Sequence, residues 1–176
     1  MREAVIVSTA RTPIGKAYRG AFNNTQGQEL AAHAIAQAVR RAGIDAAHVE
    51  DVILGCALQQ GSTGGNVARQ ALLRAGMPVT VPGMTIDRQC SSGLMAIATA
   101  AKQIVLDRMD IVLAGGVESL SLVQTADLRV APDPELELGP AGRVRVVLDD
   151  DRDVDERRQP VAQRVVPPGD VGCEQD

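Results

Sequence analysis

Three short aliphatic runs, Val5-Ile6-Val7, Val52-Ile53-Leu54 and Ile111-Val112-Leu113, are separated by longer stretches whose apolar residues recur at helical spacing. Runs of this length suit strands buried on both faces of a parallel sheet, and parallel strands need long crossovers between them. Leu30, Ala31, Ala34, Ile35, Ala38 and Val39 predict a first helix, with Gly43 as its stop signal. Asn66 to Ala75 predicts a shorter second helix, ended by Gly76 and Pro78. Ser91 to Met109 predicts a third, with Leu94, Ile97, Ala98, Ala101, Ile104 and Val105 on one broad face. The expected fold class is α/β, with helices layered αβα on a mostly parallel, mixed sheet.

This pattern stops near residue 126. Up to that point the chain carries eleven Lys and Arg against nine Asp and Glu; from 127 to 176 it carries seven against thirteen. Six of the nine prolines fall in that second part, and Leu148 to Arg158 has neither a helical nor a strand period. We therefore expect a domain over 1–126 and an irregular acidic tail over 127–176. The tail is rich in Arg, Val, Asp, Pro and Gly, residues with GC-rich codons, a vocabulary that suits either out-of-frame reading or a disordered acidic segment.

Composition narrows the function classes. A net charge of -4 and an aromatic content of 1%, Tyr18 and Phe22 alone, argue against a nucleic-acid partner. No stretch approaches the roughly 20 apolar residues of a membrane span, and the apolar run at the start is too short for a signal peptide. Cys56, Cys90 and Cys173 are widely spaced and odd in number, which suits a reducing cytoplasm better than a disulfide framework. No Cys, His and carboxylate cluster has zinc spacing, so no metal is expected.

One cysteine stands out. In Met84-Thr85-Ile86-Asp87-Arg88-Gln89-Cys90-Ser91-Ser92-Gly93-Leu94, a strand-like start runs into Cys90 and a helical pattern leaves it. A side chain there lies over the first turn's unpaired N–H groups, whose dipoles favour an anionic nucleophile. Cys56, in Leu54-Gly55-Cys56-Ala57-Leu58, has apolar neighbours and reads as buried and inert.

Four stretches in order carry a family resemblance: Ser8-Thr9-Ala10-Arg11-Thr12-Pro13-Ile14-Gly15, Gly64-Gly65-Asn66-Val67-Ala68-Arg69-Gln70-Ala71, Arg88 to Leu94, and Gly115-Gly116-Val117-Glu118-Ser119-Leu120-Ser121. With these, residues 1–126 resemble the N-terminal half of the thiolases, the 3-ketoacyl-CoA thiolase and acetyl-CoA acetyltransferase family. The resemblance implies acyl transfer between coenzyme A and a 3-ketoacyl-CoA, with coenzyme A as substrate and no cofactor. It implies that Cys90 is the acyl-carrying nucleophile and that its N–H serves an oxyanion hole. It further implies an oligomer, either of this chain or with another thiolase subunit.

The same resemblance implies a histidine in a Gly-His-Pro motif and a second cysteine in a Cys-x-Gly motif, and neither motif occurs in these 176 residues. His33 and His48 stand in other contexts, and Cys173 is followed by Glu174-Gln175. The expectation is a thiolase half that is inactive or severely impaired by itself. The alternative is a non-catalytic module that pairs with a longer thiolase. A ketoacyl synthase is a further rival, but it too needs histidines that do not match here. Of the remaining features, Glu118 reads as a carboxylate tying down a buried turn. The loop from Gly61 to Asn66 is a weak phosphate-site signal, because it lacks both the dinucleotide spacing and a P-loop lysine. Arg69 and Arg74 read as a solvated helix face, and Met84, Met95 and Met109 as core filler.

Overall fold

The structure, a computed structural model, describes residues 2–125. The expected tail over 127–176, with Cys173, lies outside the described residues. Three parallel strands, β1 (Asp51–Gly55), β2 (Gly83–Ile86) and β3 (Val112–Gly116), form a sheet in the order β2-β1-β3. The central strand is buried along its whole length, whereas β2 and β3 are half covered. Its continuous Val52-Ile53-Leu54 run follows from that position, since both faces of β1 meet apolar neighbours.

Alternate residues of β1 feed two separate cores. Val52 and Leu54 point to one face, packing with Ala31 and Ile35 of α1 (Gly27–Ala42) and Ala68, Ala71 and Leu72 of α2 (Val67–Arg74). Ile53 points to the other, against Ala96 and Ala100 of α3 (Ser92–Lys102). The result is the expected αβα layering, with α1 and α2 on one side and α3 on the other. A short α4 (Leu120–Val123) follows β3.

The helix ends follow local chemistry. Gly43 closes α1 in the left-handed conformation, at φ 66°. Asn66 caps α2, its Oδ1 accepting from the Arg69 N–H at 3.3 Å, while its Nδ2 donates to the Gly83 carbonyl at 2.8 Å. Thr85 closes this junction, donating to Asn66 Oδ1 at 2.8 Å and accepting from the Ala68 N–H at 3.0 Å. Beyond Lys102 the third helix loosens into a π turn, Gln103–Asp107, and Arg108 ends it with a left-handed φ of 63°.

Two expectations need correction. Val5-Ile6-Val7 is not a strand: the run has no regular structure and all three side chains are more than 70% exposed. It is held by tethers other than ladder bonds. Arg2 reaches the Arg108 carbonyl and the Asp110 carboxylate, Ser8 donates to the Ala38 carbonyl at 2.9 Å, and Arg41 donates to the Thr9 carbonyl at 2.7 Å. Between this segment and β3 lies a cavity of about 930 Å³, walled by α1 and α3. The second correction concerns α3, which buries its small residues Ala96 and Ala100 and leaves Leu94 and Ile97 exposed. The apolar pattern runs around most of this helix, so spacing alone does not say which face meets the sheet.

The turn after Gly15 is fastened to the far end of the described chain. Tyr18, at φ 63°, donates its N–H to Ser121 Oγ at 2.9 Å, and Ser121 in turn donates to Asn23 Oδ1 at 3.0 Å. The Tyr18 hydroxyl lies 3.4 Å from Gln124 Oε1. No described helix is long and apolar enough to cross a membrane.

Candidate active site

Cys90 sits at the handover from β2 to α3, in a 3-10 turn over Gln89–Ser91. The turn is built by its neighbours. Asp87 Oδ1 accepts from the Gln89 N–H at 2.7 Å. Buried Ser92 accepts from the Arg88 N–H at 2.8 Å and donates to the Gln89 carbonyl at 2.6 Å. Gln89 is thereby held at φ 49°, a left-handed conformation that costs a non-glycine residue roughly 1–3 kcal/mol. The bend turns the next side chain outward, and Cys90 is a free, exposed thiol. The Ser91 and Ser92 amides are spent on the Arg88 and Gln89 carbonyls, while the Cys90 N–H meets no backbone carbonyl among the described residues.

A second cysteine has the opposite environment. Cys56 follows the last residue of β1 and is fully buried. Burial pushes its thiol up to about 11, and the negative charge of Glu118 adds to the rise. The Glu118 carboxylate accepts from the Ala57 N–H at 2.9 Å and the Leu58 N–H at 3.0 Å, with Cys56 Sγ at 3.6 Å from it. Thr63, also fully buried, donates to the Gln60 and Leu58 carbonyls of the same loop. Glu118, itself exposed, ties down a half-buried turn at Ala57 and Leu58 rather than the buried turn its position after Gly115-Gly116 suggested. That Cys56 is the thiol beside it was missed. The signal is the strand register, which sets Gly55 opposite Gly116 and brings the two following segments side by side.

The other candidates are dispersed. His33 is exposed on α1, in the layer opposite α3, beside Arg11, Glu29 and Phe22. His48 is exposed in a turn before β1, at the other end of the parallel sheet from Cys90. Neither stands beside the thiol. The Gly61 to Asn66 loop has its carbonyls occupied by Gln70, which donates to Gly64 at 2.8 Å and Gly65 at 3.0 Å. Arg69 is not a solvated residue: its guanidinium holds the Val79 carbonyl at 2.8 Å and the Val81 carbonyl, while Arg74 pairs with Glu29. Met84 is exposed and Met95 and Met109 only half-buried, so among the described residues Met77 is the methionine that fills core. Among the described residues no three of His, Cys, Asp and Glu come together as a metal site would require.

The family model for the thiolase N-terminal domain matches residues 4–152, a span that runs past residue 126. The chain belongs to the thiolase family. It is 46% identical over 123 residues to a 3-ketoacyl-CoA thiolase of Bacillus subtilis, covering 70% of this chain and 32% of that protein. It is 48% identical over 122 residues to a 3-oxoadipyl-CoA/3-oxo-5,6-dehydrosuberyl-CoA thiolase of Escherichia coli, covering 69% and 30%. The crystal structure of the Bacillus anthracis acetyl-CoA acetyltransferase superposes with a TM-score of 0.65 at 46% identity, covering 69% of this chain and 30% of that one. This thiolase-family chain thus spans about a third of the length of the curated relatives it matches.

Proposed function

We propose that this chain contributes the nucleophile half of a thiolase-type acyl transfer, with Cys90 taking the acyl group from an acyl-CoA or 3-ketoacyl-CoA. The observation that carries this reading is the exposed thiol on a strained turn, directly ahead of α3. From an acyl-CoA, attack of the thiolate on the thioester carbon forms the Cys90 thioester and releases coenzyme A; from a 3-ketoacyl-CoA, attack on the 3-keto carbon breaks the C2–C3 bond, leaves the shortened acyl group on Cys90 and releases acetyl-CoA once its enolate takes up a proton. The Cys90 N–H, not engaged by a backbone carbonyl, suits donation to the oxyanion of the tetrahedral intermediate. With His33 and His48 both remote from the turn, the base that removes the thiol proton comes from outside the described residues. Turnover by this chain by itself is therefore expected to be low, since losing a general base costs about 10²–10⁴-fold.

The relatives' names include 3-ketoacyl-CoA, 3-oxoadipyl-CoA and acetyl-CoA enzymes. The Arg88-Gln89-Cys90-Ser91-Ser92-Gly93 form favours the degradative, 3-ketoacyl-CoA type, and the free thiols of Cys56 and Cys90 suit a reducing cytoplasm. A second reading is a non-catalytic module that pairs with a thiolase subunit; the exposed apolar run Val5-Ile6-Val7 favours it. Incubation with acetyl-CoA, followed by mass-spectrometric mapping, separates the two. An acetyl group on Cys90, absent in Cys90→Ser, is the expected result. Co-purification of a longer thiolase with an unacylated Cys90 would favour the pairing module instead.

A further inference from the structure

Gly55, Gly93 and Gly116 meet where β1 and β3 end beneath the first turn of α3. A Cβ at Gly55 would stand 2.2 Å from the Ser92 carbonyl carbon and 2.4 Å from both the Ser92 oxygen and the Gly93 nitrogen. All three are main-chain atoms, so no side chain can swing aside and the start of α3 itself has to move. A Cβ at Gly116 would lie 3.2 Å from the Gly55 oxygen and 3.3 Å from Gly93 Cα, a contact that a shift of a few tenths of an ångström relieves. A Cβ at Gly93 would meet nothing closer than 3.9 Å. None of the three has a positive φ, so close approach is what they share, not a left-handed backbone.

The residue under pressure from Gly55 is the one that locks the nucleophile turn. Ser92 joins the Arg88 N–H to the Gln89 carbonyl through its hydroxyl, and Cys90 lies between Gln89 and Ser92. Any displacement of the Ser92 backbone therefore passes to both sides of Cys90. The contact also has no slack below. The Gly55 carbonyl accepts from the Val117 N–H at 3.0 Å, and the following Cys56 N–H donates to the Ile86 carbonyl at 3.0 Å, so β1 is held on both sides at this point. We infer that Gly55 is a positioning residue for Cys90: its missing side chain lets α3 seat directly on the end of β1 and sets where the thiol stands. The inference rests on the acyl-transfer reading for its functional consequence, but not for its geometry.

The test uses the full chain with Gly55→Ala, Gly116→Ala and Gly93→Ala. Two readouts separate position from general stability. One is the backbone amide signal of Cys90 in a ¹⁵N-cysteine-labelled sample, assigned with Cys90→Ser. The other is the rate of Cys90 acylation by acetyl-CoA relative to its alkylation by iodoacetamide, which requires an exposed thiol but little orientation. Gly55→Ala is expected to move the Cys90 signal and to lower the acylation-to-alkylation ratio by about tenfold or more. Gly116→Ala should do so more weakly, and Gly93→Ala should match the parent chain. A folded Gly55→Ala with an unmoved Cys90 signal overturns the inference, and so does a Gly93→Ala as damaging as Gly55→Ala. If Gly55→Ala does not fold, Gly116→Ala decides, and an unmoved signal there overturns it. A parent chain that acetyl-CoA leaves unmodified sinks the acyl-transfer reading, while the amide signals still test the placement.

Discussion

At the scale of single residues, the two described cysteines show how one side-chain type is given opposite properties by a few ångströms of context. Cys90 is presented to solvent by a strained turn, whereas Cys56 is enclosed and faces a carboxylate. The pH consequence belongs to Cys56. In the unfolded chain its thiol ionises near 9.0, but in the fold it keeps its proton until about pH 11. Its contribution to stability is therefore complete below pH 9 and is lost as pH rises toward 11, by an amount on the order of 2 kcal/mol. Urea unfolding near pH 8 and pH 10.5 should show this decline, and Cys56→Ala should flatten it. Glu118→Gln should shrink the same decline, because it removes the charge that opposes ionisation. It should also cost about 0.5–1.5 kcal/mol at neutral pH by weakening acceptance from the Ala57 and Leu58 N–H groups, which water can reach.

At the scale of elements, the energetics concentrate in α2 and β1. Leu72 is fully buried between α1, α2 and the sheet, so Leu72→Ala should cost about 2–5 kcal/mol in urea unfolding. Leu94 is 71% exposed on α3, and Leu94→Ala should stay within about 0.5 kcal/mol. Asn66→Ala removes a cap and places alanine at φ 64°, a loss of about 1–2 kcal/mol in the same assay. The contrast between the two leucines also marks the limit of what the sequence discloses. Helices α1 and α2 were legible because each has one apolar stripe and a clear stop, Gly43 or Gly76. β1 was legible as a solid apolar run. Helix α3 was legible as a helix but not in its orientation, since its small residues, not its large ones, face the sheet. Val5-Ile6-Val7 has a strand's composition yet makes no ladder bonds, because pairing depends on what stands beside a segment. For the candidate site, the handover at Cys90 was legible as a strand-like start followed by a helical pattern; the Cys56–Glu118 contact and the close approach of Gly55 to Ser92 are made by strand register and backbone approach, which a linear pattern does not contain.

At the scale of the whole molecule, apolar surface is the dominant unresolved term among the described residues. Val5, Ile6 and Val7, with Leu94 and Leu106 of the third helical segment, are each more than 70% exposed. A contiguous exposed run such as Val5 to Val7 favours association. Size-exclusion chromatography should therefore show a species larger than the 18.5 kDa monomer, and polar replacement of Val5 and Val7 should shift elution toward it. A sharp, concentration-independent monomer peak would contradict that expectation. The tie between the early turn and α4 has an optical consequence. The chain has no tryptophan and one tyrosine, so its near-ultraviolet emission reports on Tyr18 alone. Because that ring's backbone is pinned by Ser121 and its hydroxyl faces Gln124, the protein carries a built-in chromophore at the junction of its first loop and its last described helix. Fraying of that junction becomes visible as a change in tyrosine brightness, with no label attached.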